Sequence, residues 1–330
     1  MRMALPDLLL RPLLACLCVF PLLAQAATTE APDDPWLMLE KAGQAAHKLN
    51  YKGIFVFQTG RAARSMQITH MNYAQGEFAR VVALDGVPQE VLRQGNDVVI
   101  YNQQNDRVVI ERHRVQSAFP ALLPGLVETL KASYQVRLAG QERVGGREVQ
   151  VIYLDPRDHF RYGYRLSVDR EFGLLLKSVL FNERNEPIEQ VAFNQLLVMS
   201  MNDMDWFRPG MESGKMFVVA PEDSVKPIVA EGDGWVIAQL PAGYRQLEHV
   251  QRKVPGKSFP IDHVVFSDGL CSVSLFIEPL DKSSTPKQGS VMQGATNIFA
   301  QTSHGYQVIV VGEVPEVTVK QIAAAVNFKK

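Results

Sequence analysis

Asp155, Asp158 and His159 are the nearest thing in this chain to a reactive constellation. Two carboxylates beside an imidazole could divide general acid and base work between them. Pro156 stands inside the group, however, and Asp side chains next to proline ordinarily serve a turn by accepting backbone N–H groups. Turn chemistry therefore accounts for all three. The seven histidines, at 47, 70, 113, 159, 249, 263 and 304, keep none of the short spacings that present metal ligands together, so each reads as a surface or packing residue. Gly-x-Ser-x-Gly, His-Glu-x-x-His, Cys-x-x-Cys, the Walker loop and Gly-x-Gly-x-x-Gly are all missing.

Two other groupings could bind. Arg107, Arg112, His113 and Arg114 form a basic cluster that Arg161 and Arg165 could extend across a sheet, suited to phosphates or an acidic peptide if it is not simply a solvated strand face. Phe55, Phe57, Tyr101, Phe160, Tyr162, Tyr164 and Phe181 form an aromatic set that pattern alone assigns to a core and, as the lesser alternative, to a lipid cavity.

The elements that must position these residues are mostly strands. From Asp155 to Phe193 apolar and polar residues alternate between turn signals, which predicts three antiparallel strands. Phe160, Tyr162, Tyr164, Leu166 and Val168 fall on the dry face, with Arg161, Arg165, Ser167 and Asp169 on the wet one. Upstream, Asp34-Pro35 predicts a helix start, and Trp36, Leu39, Gly43, Ala46 and Leu49 recur at helical spacing to about Asn50. Strands are predicted at 53–59, 66–71, 78–84, 89–93, 97–102 and 107–112, then at 135–139 and 148–154. Between these groups, Pro120, Pro124 and Gly125 break an apolar run. Its Ala121, Leu122, Leu123 and Leu126 either fill the concave side of a curled sheet or form a lid, and a short helix should follow from about Leu126.

Beyond Val198 the composition changes. Asn202 to Gly214 reads as a linker, whose Trp206 and Phe207 should pack at a domain interface or meet a partner. Further strands are predicted at 235–240, 244–250, 262–266, 270–278, 296–301 and 306–313, with a mobile polar loop at 281–290. Pro315 opens a last helix with the stripe Val319, Ile322, Ala323 and Val326.

At the start, Arg2 and Arg11, the apolar run Leu13 to Leu23 and Ala24-Gln25-Ala26 are the parts of a secretory signal, with cleavage expected after Ala26. The organisation expected is a signal peptide at 1–26, a large domain at 27–201, a linker at 202–214 and a small domain at 215–330. Of the three cysteines, Cys16 and Cys18 leave with the signal, and Cys271 is in phase with Val273, Leu275 and Ile277 as a small buried hydrophobe. With 34 basic against 35 acidic residues the net charge is −1, so no global field draws the chain to nucleic acid or an anionic membrane.

Tyr51-Lys-Gly-Ile-Phe-Val-Phe, Asp155-Pro-Arg-Asp followed by Arg161-Tyr-Gly-Tyr164, Ser267-Asp-Gly-Leu270 and Val311-Gly-Glu-Val-Pro315, in this order, resemble the MucB/RseB family. The resemblance implies an α+β, mostly β, architecture: a large LolA-like half-open antiparallel β-barrel with helices on its concave side, and a smaller α+β C-terminal domain. It implies a periplasmic, non-enzymatic protein without cofactor or metal that binds the periplasmic region of a MucA/RseA-like anti-sigma factor, shields it from site-1 proteolysis and lets go when lipid A or another acylated ligand binds. A homo-oligomer is compatible with it, and a periplasmic lipid or lipoprotein carrier is the alternative. On this basis Phe55, Phe57, Tyr101, Leu122, Leu123, Leu126, Tyr162 and Tyr164 are expected to line an acyl cavity, and Trp206, Arg245, Phe276 and Glu278 to meet the partner.

Overall fold

The structure, a computed structural model, describes residues 34–73, 76–95, 97–104, 107–114, 119–124, 127–200, 204–208, 210, 216–219, 225–227, 234–252, 259–280 and 285–329, with the backbone alone at 103–114, 216–219 and 225–227. The expected signal peptide at 1–26 and Leu126 lie outside these residues.

Helix α1 (Pro35–Lys48) begins where Asp34 caps it, accepting the Trp36 N–H at 2.9 Å, with proline in the first turn. Strands β1 (Tyr51–Thr59), β2 (Ala62–Tyr73), β3 (Gly76–Ala83), β4 (Gln89–Gln94), β5 (Asp97–Gln104) and β6 (Arg107–Arg114) follow as a meander. After the short helix α2 (Glu128–Lys131) come β7 (Tyr134–Val144), β8 (Arg147–Pro156), β9 (Gly163–Asp169), β10 (Leu175–Phe181) and β11 (Pro187–Val198). β11 pairs with β1, which joins the two meanders into one open sheet. Its far edge is β12 (Met216–Val219), parallel to β6 and the twelfth strand of the sheet among the described residues. Expected in the small domain, this Met-Phe-Val-Val run instead pairs its backbone with the β6 edge of the large sheet, which satisfies N–H and C=O groups that an edge leaves open.

The concave side is filled. α1 buries Leu39, Ala42, Gly43, Ala45 and Ala46. A Cβ on Gly43 would lie 2.5 Å from the Pro124 carbonyl oxygen, so glycine lets the 119–124 segment rest on the helix. Ala121 and Leu123 are buried there and Leu122 is half-buried: of the two readings left open, the described part of this run is core.

The second unit of structure is β13 (Val225–Pro227), β15 (Arg245–Arg252), β16 (Ile261–Ser267), β17 (Ser272–Pro279), β18 (Gly289–Gln293), β19 (Thr296–Ser303) and β20 (Tyr306–Gly312), ordered β13-β15-β16-β17-β20-β19-β18. Helix α3 (Glu316–Ala324) lays Val319, Ile322 and Ala323 on one face of it. β14 (Trp235–Ile237) and β21 (Val326–Phe328) form a separate two-stranded ribbon, so Val326 leaves the predicted helical stripe for a strand. The polar loop predicted at 281–290 ends earlier than expected, since Gly289 and Ser290 already belong to β18.

The wet face predicted for β9 is not wet. Arg161, Ser167 and Asp169 are as buried as Tyr162, Tyr164, Leu166 and Val168. Partners on β7, β8 and the following turn cover them: Ser167 donates to Glu142 at 2.6 Å, and Asp169 accepts from Arg147 and from the Glu171 and Phe172 N–H groups. Alternation reports polarity, and polarity survives burial when every polar atom finds a partner.

Candidate functional site

The β8–β9 turn carries the most heavily built polar site among the described residues. Asp158 accepts the Phe160 N–H at 2.9 Å, closing the turn as the proline had indicated, and its carboxylate also takes Nε and Nη2 of Arg161 at 3.0 Å each. Arg161 is thereby aimed away from solvent and across to the small sheet. Its Nη1 donates to Asp268 at 2.9 Å and its Nη2 to the Ala242 carbonyl, with both Arg161 and Asp268 side chains fully buried.

The small sheet is shaped to receive it. Asp268 is fixed by the Leu270 and Cys271 N–H groups at 2.9 Å each, within the Ser-Asp-Gly turn that joins β16 to β17. Gly243, with φ of +83°, passes so close that a Cβ would meet Ser133 Oγ at 2.5 Å. The Tyr134 and Tyr244 rings flank the guanidinium at 5.8 and 5.2 Å. Around it, the Phe160 carbonyl accepts from Tyr244 Oη at 3.0 Å and from Thr318 Oγ1 at 2.8 Å. Asn297 donates to Tyr162 Oη at 3.0 Å and to the Val314 carbonyl at 2.8 Å. The large and small sheets thus meet at a buried joint in which charge, carbonyls and phenols are all paired.

Its electrostatics suit a lock better than a reaction. Burial opposes the Arg161 charge, but hydrogen bonding by Asp158 and the charge of Asp268 outweigh it and hold the guanidinium above its ordinary value. Burial, helped by the neighbouring Glu183 charge, pushes Tyr162 up to about 12. Burial likewise drives Tyr134, Tyr164 and the Cys271 thiol upward, leaving all three protonated. Cys271 lies 3.7 Å from Tyr134 Oη and is inert packing, as its phase predicted. No three His, Cys, Asp or Glu side chains gather as metal ligands among the described residues.

The residues expected to line an acyl cavity divide into two groups. Phe55 and Phe57 belong with Phe193 and Leu176 under α1, the Phe55 ring lying 5.4 Å from Phe119 and 6.0 Å from Phe193. Leu122, Leu123, Tyr162 and Tyr164 belong to the neighbouring cluster with Leu39 and Leu154, and Phe119 packs against both clusters. Tyr101, half-buried on β5, joins neither. Tyr162 also turns its hydroxyl to Asn297, and Tyr164 turns its own toward Cys271, so the two tyrosines serve the joint as well as the core.

The expected partner residues are not brought together. Trp206, in a 3-10 turn (Met204–Phe207), packs with Phe207 on Met71 and Phe78 of the large sheet, with Lys52 Nζ 4.5 Å from its ring centroid. Phe276 and Glu278 share the face of β17 opposite the Val273, Leu275 and Ile277 core, where Phe276 stacks on His263 at 4.4 Å. Arg245 is exposed at the start of β15. Arg161 and Arg165 do not extend the basic cluster, since Arg161 is locked to Asp158 and Asp268, and Arg165 to Glu142 at 2.6 Å. Sequence reasoning missed the Arg161–Asp268 joint. The Asp158-x-x-Arg161 spacing and the Ser267-Asp268-Gly269 turn were visible separately, with nothing local to connect them.

With this geometry in view, the comparisons with known proteins are consistent along the chain. Residues 34–211 match the MucB/RseB N-terminal domain and residues 229–327 the MucB/RseB C-terminal domain. The Sigma factor AlgU regulatory protein MucB of Pseudomonas aeruginosa is 30% identical over 316 residues, covering 93% of this chain and 94% of that protein. The Sigma-E factor regulatory protein RseB of Haemophilus influenzae is 26% identical, covering 88% of this chain and 90% of the relative. A crystal structure of MucB in complex with MucA(peri) superposes with a TM-score of 0.71 at 29% identity, over 90% of this chain and 100% of that one. Matched through both of its domains and through the fold that joins them, the chain belongs to the MucB/RseB family.

Proposed function

We propose that this protein is a periplasmic regulator that grips the periplasmic region of a membrane-spanning anti-sigma factor, protects it from site-1 cleavage and so restrains an envelope-stress sigma factor. The observation that carries this reading is the relative of the same two-domain fold, similar over nearly the whole chain, solved as a complex with MucA(peri). The secretory signal read in the first 26 residues supports the compartment. The regulatory names of the relatives support a binding role in place of an enzymatic one.

The inducing ligand is an acylated molecule such as lipid A, and its chain enters the concave side of the large sheet. Phe55, Phe57, Leu122, Leu123, Tyr162 and Tyr164 line its path, and the 119–124 segment is what it displaces. The packing of Phe119 against both aromatic clusters supports this, because moving that one segment opens both. Tyr162 and Tyr164 hydrogen-bond or approach small-domain residues from the same core, so an occupant of the core disturbs the joint to the small sheet. By reciprocity, acyl ligand and partner then weaken each other.

The test is binding of the mature chain to the periplasmic region of the source organism's MucA homologue, with and without lipid A, followed by site-1 protease cleavage of that region. Tight binding that blocks cleavage and is weakened by lipid A is the expected result. Absence of binding removes the regulator reading, and binding indifferent to lipid A removes the acyl switch.

A further inference from the structure

The described strand ends differ in how their edges are guarded. An edge strand exposes unpaired N–H and C=O groups that template pairing with another chain, and proteins blunt them with bulges, charges, proline or brevity. β7, at one edge of the large sheet, carries Arg137, Glu142 and Arg143 and a break in register between Leu138 and Gln141. At the other edge β12 is four residues long. In the small sheet, β13 is three residues long and ends in Pro227.

β18, five residues long, has no bulge, charge or proline. Among the described residues it pairs with β19 alone, in unbroken register from Gly289 opposite Ala300 to Gln293 opposite Thr296. Its sequence, Gly-Ser-Val-Met-Gln, contains neither charge nor proline, all five residues are exposed, and Val291 and Met292 are 63% and 70% exposed. A half-exposed apolar row leads inward from it. Val291 stands opposite Ile298, and Ile298 opposite Val311, on the sheet face that α3 does not cover.

We infer that β18 is a docking edge that accepts an extended polypeptide segment as an added strand, with apolar side chains at alternate positions continuing the Val291–Ile298–Val311 row. This rests on the regulator reading, in which the partner is a polypeptide. Backbone pairing supplies the affinity, and alternate side chains supply the choice of segment. A second copy of this chain fits less well. A strand of this length spans about 17 Å, whereas a stable interface takes about 20–30 residues a side. A flexible segment is not so limited, because it runs on past the strand over the neighbouring surface.

Amide hydrogen exchange of the mature chain, with and without the periplasmic region of the source organism's MucA homologue, tests the assignment together with the double variant Val291→Lys/Met292→Lys. The expected results are at least tenfold slower exchange within 289–293 on binding and at least tenfold weaker binding by the double variant. Its thermal midpoint should be unchanged because both side chains are already in water, and Leu247→Lys, exposed on β15, should bind like the unmodified chain. Unchanged exchange together with full-strength binding by the double variant would overturn the docking edge and leave the regulator reading standing. Failure of the unmodified chain to bind the segment at all sinks the regulator reading itself, and the docking edge with it. Protection that instead follows chain concentration without the segment, with dimers in sedimentation, overturns the inference in favour of self-pairing.

Discussion

Arg161 Nη1 lies 2.9 Å from Asp268 Oδ2, both side chains withdrawn from water, although 107 residues separate them in the chain. The pair ties the β8–β9 turn of the large sheet to the β16–β17 turn of the small one. Removing one member leaves a buried charge without its partner, which costs about 3–5 kcal/mol. Arg161→Leu is therefore expected to lower the unfolding free energy by that amount in urea titration. Arg161→Leu/Asp268→Leu should recover part of the loss, because the orphaned carboxylate is gone. A loss under about 1 kcal/mol for the single variant would mean that the joint is held by other contacts.

Leu123 is fully enclosed between α1 and the curled sheet. Leu123→Ala is expected to cost about 2–5 kcal/mol, as truncation of a buried leucine does. The same vacancy loosens the segment that an acyl chain must displace, so the variant should bind a fluorescent fatty acid more tightly than the unmodified chain. Calorimetric unfolding and a fluorescence titration measure the two effects separately.

Glu189 on β11 has its carboxyl pushed up from 4.5 to about 7, by burial first and then by the neighbouring Glu313 charge. In the unfolded chain this group loses its proton first, so folding becomes less favourable as pH rises from 4.5 to about 7, and the full penalty is present above that. Glu189→Gln carries no such penalty. Thermal melts should find the variant similar to the unmodified chain at acidic pH and more stable at mildly alkaline pH. Parallel curves across that range would contradict the assignment.

Glu90 is almost wholly buried and holds Arg80 Nε at 2.6 Å and the Gly210 N–H at 2.9 Å, tying the segment after the Trp206 turn to the outer large sheet. Glu90→Leu leaves the guanidinium and the amide unpaired, at about 1–3 kcal/mol. Limited proteolysis should cut next to the Met204–Phe207 turn faster in this variant and in Trp206→Ala. Unchanged cleavage would show that neither contact restrains it.

Cys271 is buried and its thiol is pushed upward by that burial. A disulfide reagent should leave it untouched in the native chain and modify it fully in denaturant. Native reactivity at a comparable rate would mean that the joint around it opens.

How much was legible in the sequence follows from the range of each signal. Asp34-Pro35 and the helical stripe marked α1, and strand alternation with Gly and Asp turns marked both meanders, because those preferences act within a few residues. Phase alone placed Cys271 inside, since the neighbours of a residue on one strand share its face. The ordered motifs carry the family by themselves, and both domain matches agree with them.

Other properties depended on what lies across the fold. Arg161, Ser167 and Asp169 carry the polarity of a solvent face, and only the arrival of Asp268, Glu142 and Arg147 from remote segments made that face dry. The pattern of Leu122 and Leu123 suits lid and core alike, and the close approach of the Pro124 carbonyl to Gly43 makes their segment core. Trp206 could have joined two domains, and it lies on Met71 and Phe78 of one. Secondary structure and family were thus set by the sequence itself, through local preferences and ordered motifs. Burial of charge, the filling of the concavity and the joint between the sheets were decided by tertiary structure alone, because each requires groups that nothing local brings within hydrogen-bonding or van der Waals reach.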